Sequence, residues 1–252
     1  MTTDSIQKQE GFRFISRVAL GLFLLCSVAD VLLLVFHLHS EARLLKAVLM
    51  PLLLFYVLSQ TFRHGGEKSA ACCATGALVL HCLGDVFLEL GGGQASDAGL
   101  AAFLLGHIAY LTYMLRKLGR LRFPENMAWT LAALLAVGIG FVLAPEGEGL
   151  TIPFVLYSLA LLYYVATGVA GLMKSARMGR TDTASARSQS RAYRSILFGG
   201  LLFITSDFLI VYHRFLGGDI PQRSTLIMST YLLAEFLLAT GVWMLSASGK
   251  EE

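Results

Sequence analysis

The sequence predicts an all-α membrane protein, a polytopic bundle of eight transmembrane helices. Of its 252 residues, 56% are hydrophobic and only 15% are charged, and the mean hydropathy is +0.66. A soluble domain carries about a quarter charged residues, so this chain has too few to cover a globule in water. The same balance excludes intrinsic disorder, which requires low hydrophobicity and high charge.

Apolar runs long enough to cross a bilayer recur along the whole chain. Each crossing of the hydrocarbon core takes about 20 mostly apolar residues. The eight predicted spans are 16–36, 44–60, 70–90, 98–117, 127–144, 150–173, 194–215 and 225–245. The second is the weakest, because Lys46 and Pro51 interrupt it. The first contains Asp30 and is not followed by a small-residue cleavage site, so we interpret it as a helix rather than a signal peptide.

Short connections between these spans predict antiparallel neighbours in one integral-membrane domain. We expect a cytoplasmic N-terminal segment over 1–15, the bundle over 16–247 and a cytoplasmic tail over 248–252. All but four of the 20 Lys and Arg residues lie on the side that holds both termini. The positive-inside rule therefore predicts cytoplasmic termini. The compact length and small loops suggest a bacterial inner membrane.

Two further features bear on possible partners. The net charge of +3 is small, and the basic residues lie in loops rather than on one face, so a nucleic-acid partner is not expected. The four cysteines fall inside apolar runs without zinc-type or redox spacing, which predicts buried thiols.

A weak similarity between the two halves predicts a parallel repeat of four plus four helices. The second and sixth spans each contain a proline, Pro51 and Pro153. The third and seventh each contain an aspartate after a small residue, in the pairs Gly84-Asp85 and Ser206-Asp207. Such repeats are typical of transporters.

Ionisable residues inside the apolar runs are the main functional signal. A charged side chain at mid-bilayer costs about 2.5 to 3.5 kcal/mol, so such residues are functional candidates by default. Counted along ideal helices, several lie about 15 to 22 Å above the cytoplasmic edge. The residues placed in this layer are Asp30, Asp85, His107, Tyr157, Asp207 and Glu235. We therefore expect a common polar pocket nearer the outer leaflet, with Lys46 and Arg214 at its rim.

Several kinds of chemistry could use such a pocket. His81, Asp85 and Glu89 follow one helix face at i, i+4 and i+8, and His107 could complete a metal site, although this spacing is a weak signal. Ser206 is not in the GxSxG elbow of serine hydrolases. The glycines at 91–93 are not followed by the Lys-Ser/Thr of a phosphate-binding loop. In the aromatic run 157–164, only Tyr157 is expected in the polar layer.

Six collinear motifs make the chain resemble the lysoplasmalogenase family, the YhhN-like membrane proteins. They are KAVLMP at 46–51, LGDVFL at 83–88, FLLGHIAY at 103–110, PFVLY at 153–157, GLLFITSD at 200–207 and MSTY at 228–231. The resemblance implies a hydrolase that splits the vinyl ether bond of lysoplasmalogens into a fatty aldehyde and glycerophosphoethanolamine or glycerophosphocholine. It implies a site lined by Lys46, Asp85, His107, Tyr110, Tyr157, Ser206 and Asp207. Glu235 stands where similar sequences often carry glutamine, which leaves the exact substrate open.

Vinyl ether hydrolysis suits a polar layer that contains carboxyl groups. Protonation of the β-carbon gives an oxocarbenium ion, which water captures as a hemiacetal that collapses to an aldehyde and an alcohol. A carboxyl group in a low-dielectric site can stay protonated near neutrality and act as the acid. A second carboxylate can stabilise the cation and take the proton of the water, as in glycoside hydrolysis.

These considerations assign the predicted roles. Asp85 and Asp207 are the expected catalytic pair, with the choice of acid and base left open. Lys46 and Arg214 would bind the substrate phosphate. The remaining substrate-binding candidates are His107, Tyr110, Tyr157, Ser206 and Glu235, and neither a metal nor another cofactor is expected. The alternatives are a small-solute or proton-coupled transporter and a metal-dependent intramembrane lipid hydrolase.

Overall fold

The computed structural model describes residues 3–120, 123–142, 152–179, 183–216 and 219–248. Its regular structure in these ranges is entirely helical, which confirms the predicted fold class. The eight helices are α1 (Thr3–Val35), α2 (His39–Arg63), α3 (Lys68–Leu90), α4 (Gly93–Leu118), α5 (Phe123–Val142), α6 (Ile152–Met178), α7 (Thr183–Leu216) and α8 (Arg223–Ala247).

The helices have the length and composition of an integral multi-pass membrane protein. Seven of them are long and apolar enough to cross a bilayer, and α5 contributes a shorter apolar segment, Asn126–Ile139. Large apolar side chains such as Leu25, Leu44 and Leu134 point outward, while Asp30, His107 and Glu235 are buried. Apolar groups outside and ionisable groups inside are the arrangement that a lipid environment favours.

Several helices are longer than the apolar runs that predicted them. Helix α1 begins at Thr3, so the segment predicted as a cytoplasmic N-terminal extension is helical from that residue. Helix α7 begins at Thr183 rather than near residue 194. Hydropathy identifies only the part of a helix that lies in the hydrocarbon core. Helical turns that continue beyond the bilayer are polar, so hydropathy does not detect them. The connection between the fifth and sixth predicted spans, residues 145–149, lies outside the described residues.

Helix α2 runs without a break through Pro51, the residue that weakened its prediction. Proline has no N–H, so the carbonyl of Ala47, four residues earlier, loses its helical partner. The Sγ atom of Cys82 in α3 lies 3.9 Å from that carbonyl oxygen. A neighbouring helix therefore supplies a weak replacement, which is a usual way in which prolines are tolerated in membrane helices.

The chain forms two compact units. Unit 1 comprises Met1–Tyr110 with Val242–Lys250, and unit 2 comprises Leu111–Gly241, among the residues that the structure describes. In unit 2, α6 and α7 approach closely at small residues: a Cβ on Gly168 would lie 2.6 Å from Cβ of Leu197. Such small-residue contacts drive helix packing in membranes. The predicted repeat of four plus four helices is not confirmed.

The cysteines differ in part from their prediction. None of the four, all of which lie within the described residues, forms a disulfide. Cys72 is exposed, however, and the other three are only partly buried. The prediction of buried thiols was wrong because the outer face of a membrane helix is as apolar as its core, so apolar surroundings in sequence do not indicate burial in protein.

Candidate active site

The predicted site residues belong to both compact units, and each unit carries its own polar cluster. Unit 1 contains Lys46, Asp85, His107 and Tyr110, and unit 2 contains Tyr157, Ser206, Asp207, Arg214 and Glu235. These residues lie on α2, α3, α4, α6, α7 and α8.

Two imidazoles and a phenol meet inside unit 1. The ring centroids of His81 on α3 and His107 on α4 are 4.7 Å apart with the planes at 63°, and the ring of Tyr110 lies 5.8 Å from His81. All three side chains are buried. His107 and Tyr110 project in the same direction because they are three residues apart on α4. His81, one of the possible metal ligands in the sequence, is the centre of this cluster.

Gly106 makes the approach of α3 and α4 possible at this point. A Cβ atom added to Gly106 would collide with Cδ2 and Nε2 of His81 and would lie 3.0 Å from the carbonyl oxygen of Ala77. The absence of a side chain at 106 therefore lets the His81 ring pack directly against the backbone of α4.

We expect Gly106→Ala to lower stability by about 1 to 3 kcal/mol, the usual cost of overpacking a filled site. Gly76→Ala on α3 is the matched control, because its Cβ would lie 3.9 Å from Cβ of Ala109, an ordinary contact. Alanine is the better helix former, so the control is expected to be neutral or slightly stabilising. Thermal unfolding in detergent measures both. Equal unfolding temperatures for the two variants would contradict this packing.

The two acids of α3 have different surroundings. Asp85 is buried and interacts electrostatically with the Cys82 thiol one turn earlier. Glu89, one turn later, accepts a hydrogen bond of 2.6 Å from Lys46 Nζ through Oε1 and pairs through Oε2 with Nε of Arg43 at 3.0 Å. Lys46, predicted as a phosphate ligand, is thus already held by a carboxylate. Lys46 and Glu89 are 43 positions apart in the sequence, and no sequence pattern predicts that they pair.

In unit 2 a phenol and two carboxyl groups come together. The Tyr157 hydroxyl on α6 donates a hydrogen bond to the carboxylate of Asp207 on α7. Glu235 on α8 is fully buried and lies close enough to interact electrostatically with the hydroxyls of Tyr157 and Tyr164. Three of the predicted residues, Tyr157, Asp207 and Glu235, are therefore neighbours.

Tyr164 was wrongly left out of the polar layer. Only Tyr157 of the aromatic run was expected there, but Tyr164 is also buried and interacts electrostatically with Glu235. It follows Tyr157 by seven residues, which is two helical turns and hence nearly the same face of α6. That spacing could have identified it.

Ser206 and Arg214 complete the predicted residues of unit 2. The Ser206 hydroxyl is buried and donates a 3.2 Å hydrogen bond to the carbonyl oxygen of Ile227, joining α7 to α8 next to Asp207. Arg214 lies in α7, but its side chain is outside the described residues.

A metal site was one of the alternatives for His81, Asp85, Glu89 and His107. Within the described ranges, no three His, Cys, Asp or Glu side chains converge closely enough to hold a metal ion. The two imidazoles meet edge to face, and Glu89 is already paired with two cations. The arrangement is instead suited to proton transfer, which carboxyl groups, imidazoles and phenols all support.

The comparisons with known proteins agree with the resemblance in the sequence. The model of the YhhN family matches residues 41–242, which includes every predicted site residue, the whole of α3 to α7 and most of α2 and α8. No curated protein and no solved structure matches the chain.

Proposed function

Because this chain belongs to the YhhN family, we propose that it is a lysoplasmalogenase, a membrane enzyme that hydrolyses the vinyl ether bond of lysoplasmalogens. The family match over residues 41–242 carries the proposal, since YhhN-like proteins are members of the lysoplasmalogenase family. The products would be a fatty aldehyde and glycerophosphoethanolamine or glycerophosphocholine.

The reaction needs one acid and one base. Proton transfer to the β-carbon of the vinyl ether forms the oxocarbenium ion, and one water molecule then adds to the neighbouring carbon and loses a proton. In the resulting hemiacetal the bond between carbon and the glycerol oxygen breaks as the hydroxyl oxygen forms the C=O bond. The hydroxyl proton passes to the glycerol oxygen, so the products are the aldehyde and the alcohol. Asp85 and Asp207 are our proposed pair. Both stand in apolar helices of the family-matched segment, where a carboxyl group is costly unless it has a role.

The contacts of Asp207 favour the role of base for this residue. Its carboxylate accepts a hydrogen bond from Tyr157, which fixes its orientation. A carboxylate that is held in this way can accept a proton from water through its remaining lone pairs. Asp85 is then the acid that protonates carbon. Buried Glu235 adds a second carboxyl group beside Tyr157 and would help to stabilise the cationic intermediate.

The other predicted residues would bind and orient the lipid. His107 and Tyr110, packed around His81, would line the path of the substrate in unit 1. Ser206 would position Asp207 through its bond to α8. Lys46 is a proposed phosphate ligand.

Incubation of the detergent-purified protein with ethanolamine and choline lysoplasmalogens tests this function, with free aldehyde as the readout. An acyl lysophospholipid of the same chain length is the control, because it contains an ester in place of the vinyl ether. We expect aldehyde from both lysoplasmalogens and no fatty acid from the control. The absence of aldehyde, or release of fatty acid from the ester, would refute the proposal.

A further inference from the structure

A network of four charged side chains joins the ends of α1, α2 and α3 in unit 1. We call Asp30, Arg43, Lys46 and Glu89 the Asp30 cluster. Both oxygens of Glu89 are engaged, one by Lys46 at 2.6 Å and the other by Arg43 at 3.0 Å. Asp30 interacts electrostatically with Lys46 and with Glu89. The cluster therefore brings two cationic groups and two carboxyl groups to one place.

Asp30 is the unusual member of the cluster. Its side chain is 0% exposed, and neither carboxyl oxygen has a hydrogen-bond partner among the described residues. Burial of a polar group without hydrogen bonds costs free energy, so nearly all buried polar groups have partners. Asp30 also precedes residue 41, where the family match begins. Both carboxyl oxygens of Asp30 can therefore accept hydrogen bonds from a ligand that reaches the cluster.

The rest of the cluster can be reached from outside. The side chains of Arg43, Lys46 and Glu89 are 56%, 22% and 30% exposed. Arg and Lys bind phosphate oxygens well, Arg with two parallel hydrogen bonds. A ligand that carries both a phosphate and a hydrogen-bonding cation would match the partly exposed cations Arg43 and Lys46 and the buried carboxyl group of Asp30. A phosphoethanolamine headgroup has this composition.

The ammonium groups of ethanolamine and choline differ in their number of N–H donors. A primary ammonium has three N–H donors, as in lysine. The trimethylated nitrogen of choline has the same charge but no N–H. A buried carboxyl group without partners gains hydrogen bonds from the first and none from the second.

The spacing along α3 agrees with the shape of a lysolipid. Asp85 and Glu89 are four residues apart, which places them on one face of the helix and separates them by about 6 Å along its axis. The three carbons of glycerol separate the phosphate of a lysoplasmalogen from its vinyl ether oxygen. A headgroup held near Glu89 would therefore direct the vinyl ether towards the level of Asp85.

We propose that the Asp30 cluster is the headgroup subsite and that Asp30 makes the protein select ethanolamine over choline lysolipids. Arg43 and Lys46 bind the phosphate, Glu89 orients these two cations, and Asp30 accepts hydrogen bonds from the ammonium. The identity of the lipid as a substrate rests on the proposed function, whereas the binding preference can be measured without any turnover.

The test uses acyl lysophospholipids with one chain length and an ethanolamine, N-methyl-, N,N-dimethyl-ethanolamine or choline headgroup. These lipids contain no vinyl ether bond. Their affinities follow from the thermal stabilisation of the purified wild-type protein as the lipid concentration rises. We expect affinity to fall with each N–H lost, by about tenfold to a hundredfold over the series, as for a charge-assisted hydrogen bond. Equal affinities across the series would overturn the proposal.

Variants separate the role of Asp30 from general electrostatics. Asp30→Asn is expected to bring the ratio of ethanolamine to choline affinity close to one. Asp97→Asn, the same charge change at an exposed position of α4, is expected to keep the wild-type ratio. Arg43→Gln, at a mostly exposed position, is expected to weaken both lipids by a similar factor and to leave their ratio intact. An unchanged ratio in Asp30→Asn, or a lost ratio in Asp97→Asn, would overturn the proposal.

The two proposals fail in different ways. A headgroup preference without aldehyde release from any lysoplasmalogen would contradict the proposed activity and support the headgroup subsite. Aldehyde release with equal affinities along the methylation series would support the activity and contradict the subsite.

Discussion

Asp207→Asn is expected to lower the rate of aldehyde release by about 10²- to 10⁴-fold, the contribution of a positioned acid or base. Asparagine preserves the shape of the side chain but cannot take a proton from water. The Tyr157 hydroxyl can still donate to the amide oxygen, so the local structure is expected to remain. The rate with saturating ethanolamine lysoplasmalogen measures the effect.

Asp219→Asn is the matched control for this prediction, because Asp219 is exposed in the connection before α8 and belongs to the same unit. It is expected to keep the wild-type rate. Tyr157→Phe removes only the hydrogen bond that Tyr157 donates to Asp207. It is expected to lower the rate of aldehyde release less, by about 10- to 100-fold. If Asp207→Asn releases aldehyde at the wild-type rate while Tyr157→Phe is impaired, the base is not Asp207.

Asp85→Asn is also expected to lower the rate of aldehyde release by about 10²- to 10⁴-fold, but for a different reason. The amide has no acidic proton to deliver to carbon, and carbon protonation is the slow step of vinyl ether cleavage. Because Asp85 is buried in α3, the variant must first be shown to unfold at a temperature close to that of the wild type. The exposed Asp97 in the same unit supplies the control, Asp97→Asn. A folded Asp85→Asn protein with full activity would remove this residue from the mechanism.

Most of the fold follows from the sequence because the bilayer imposes a simple length rule. Eight apolar runs predicted eight helices, and each of the eight described helices overlaps its run. The ends were less predictable, since α7 gains a polar extension from Thr183 that hydropathy does not register. Pro51 is the converse case: local sequence indicated a weak point, and a contact from Cys82 on another helix compensates for it.

The sequence yields candidate site residues but not the contacts between them. The cost of ionisable groups in lipid marked Asp85, Asp207 and Glu235 from the sequence alone. Their partners come from other helices: Tyr157 is 50 residues from Asp207, and Lys46 pairs with Glu89 across two helices. No periodic pattern links such positions, because side-chain pairing across helices depends on rotation and packing rather than on spacing along the chain.

Deuterium incorporation into the aldehyde is the most direct measurement of the proposed chemistry. Hydrolysis of a lysoplasmalogen by the purified protein in D₂O, with immediate reduction of the aldehyde to prevent exchange, should yield a fatty alcohol with one deuterium on the carbon next to the former carbonyl. That deuterium marks the proton delivered to the β-carbon. An alcohol without deuterium at that carbon, or no aldehyde at all, would contradict acid-catalysed vinyl ether cleavage by this protein.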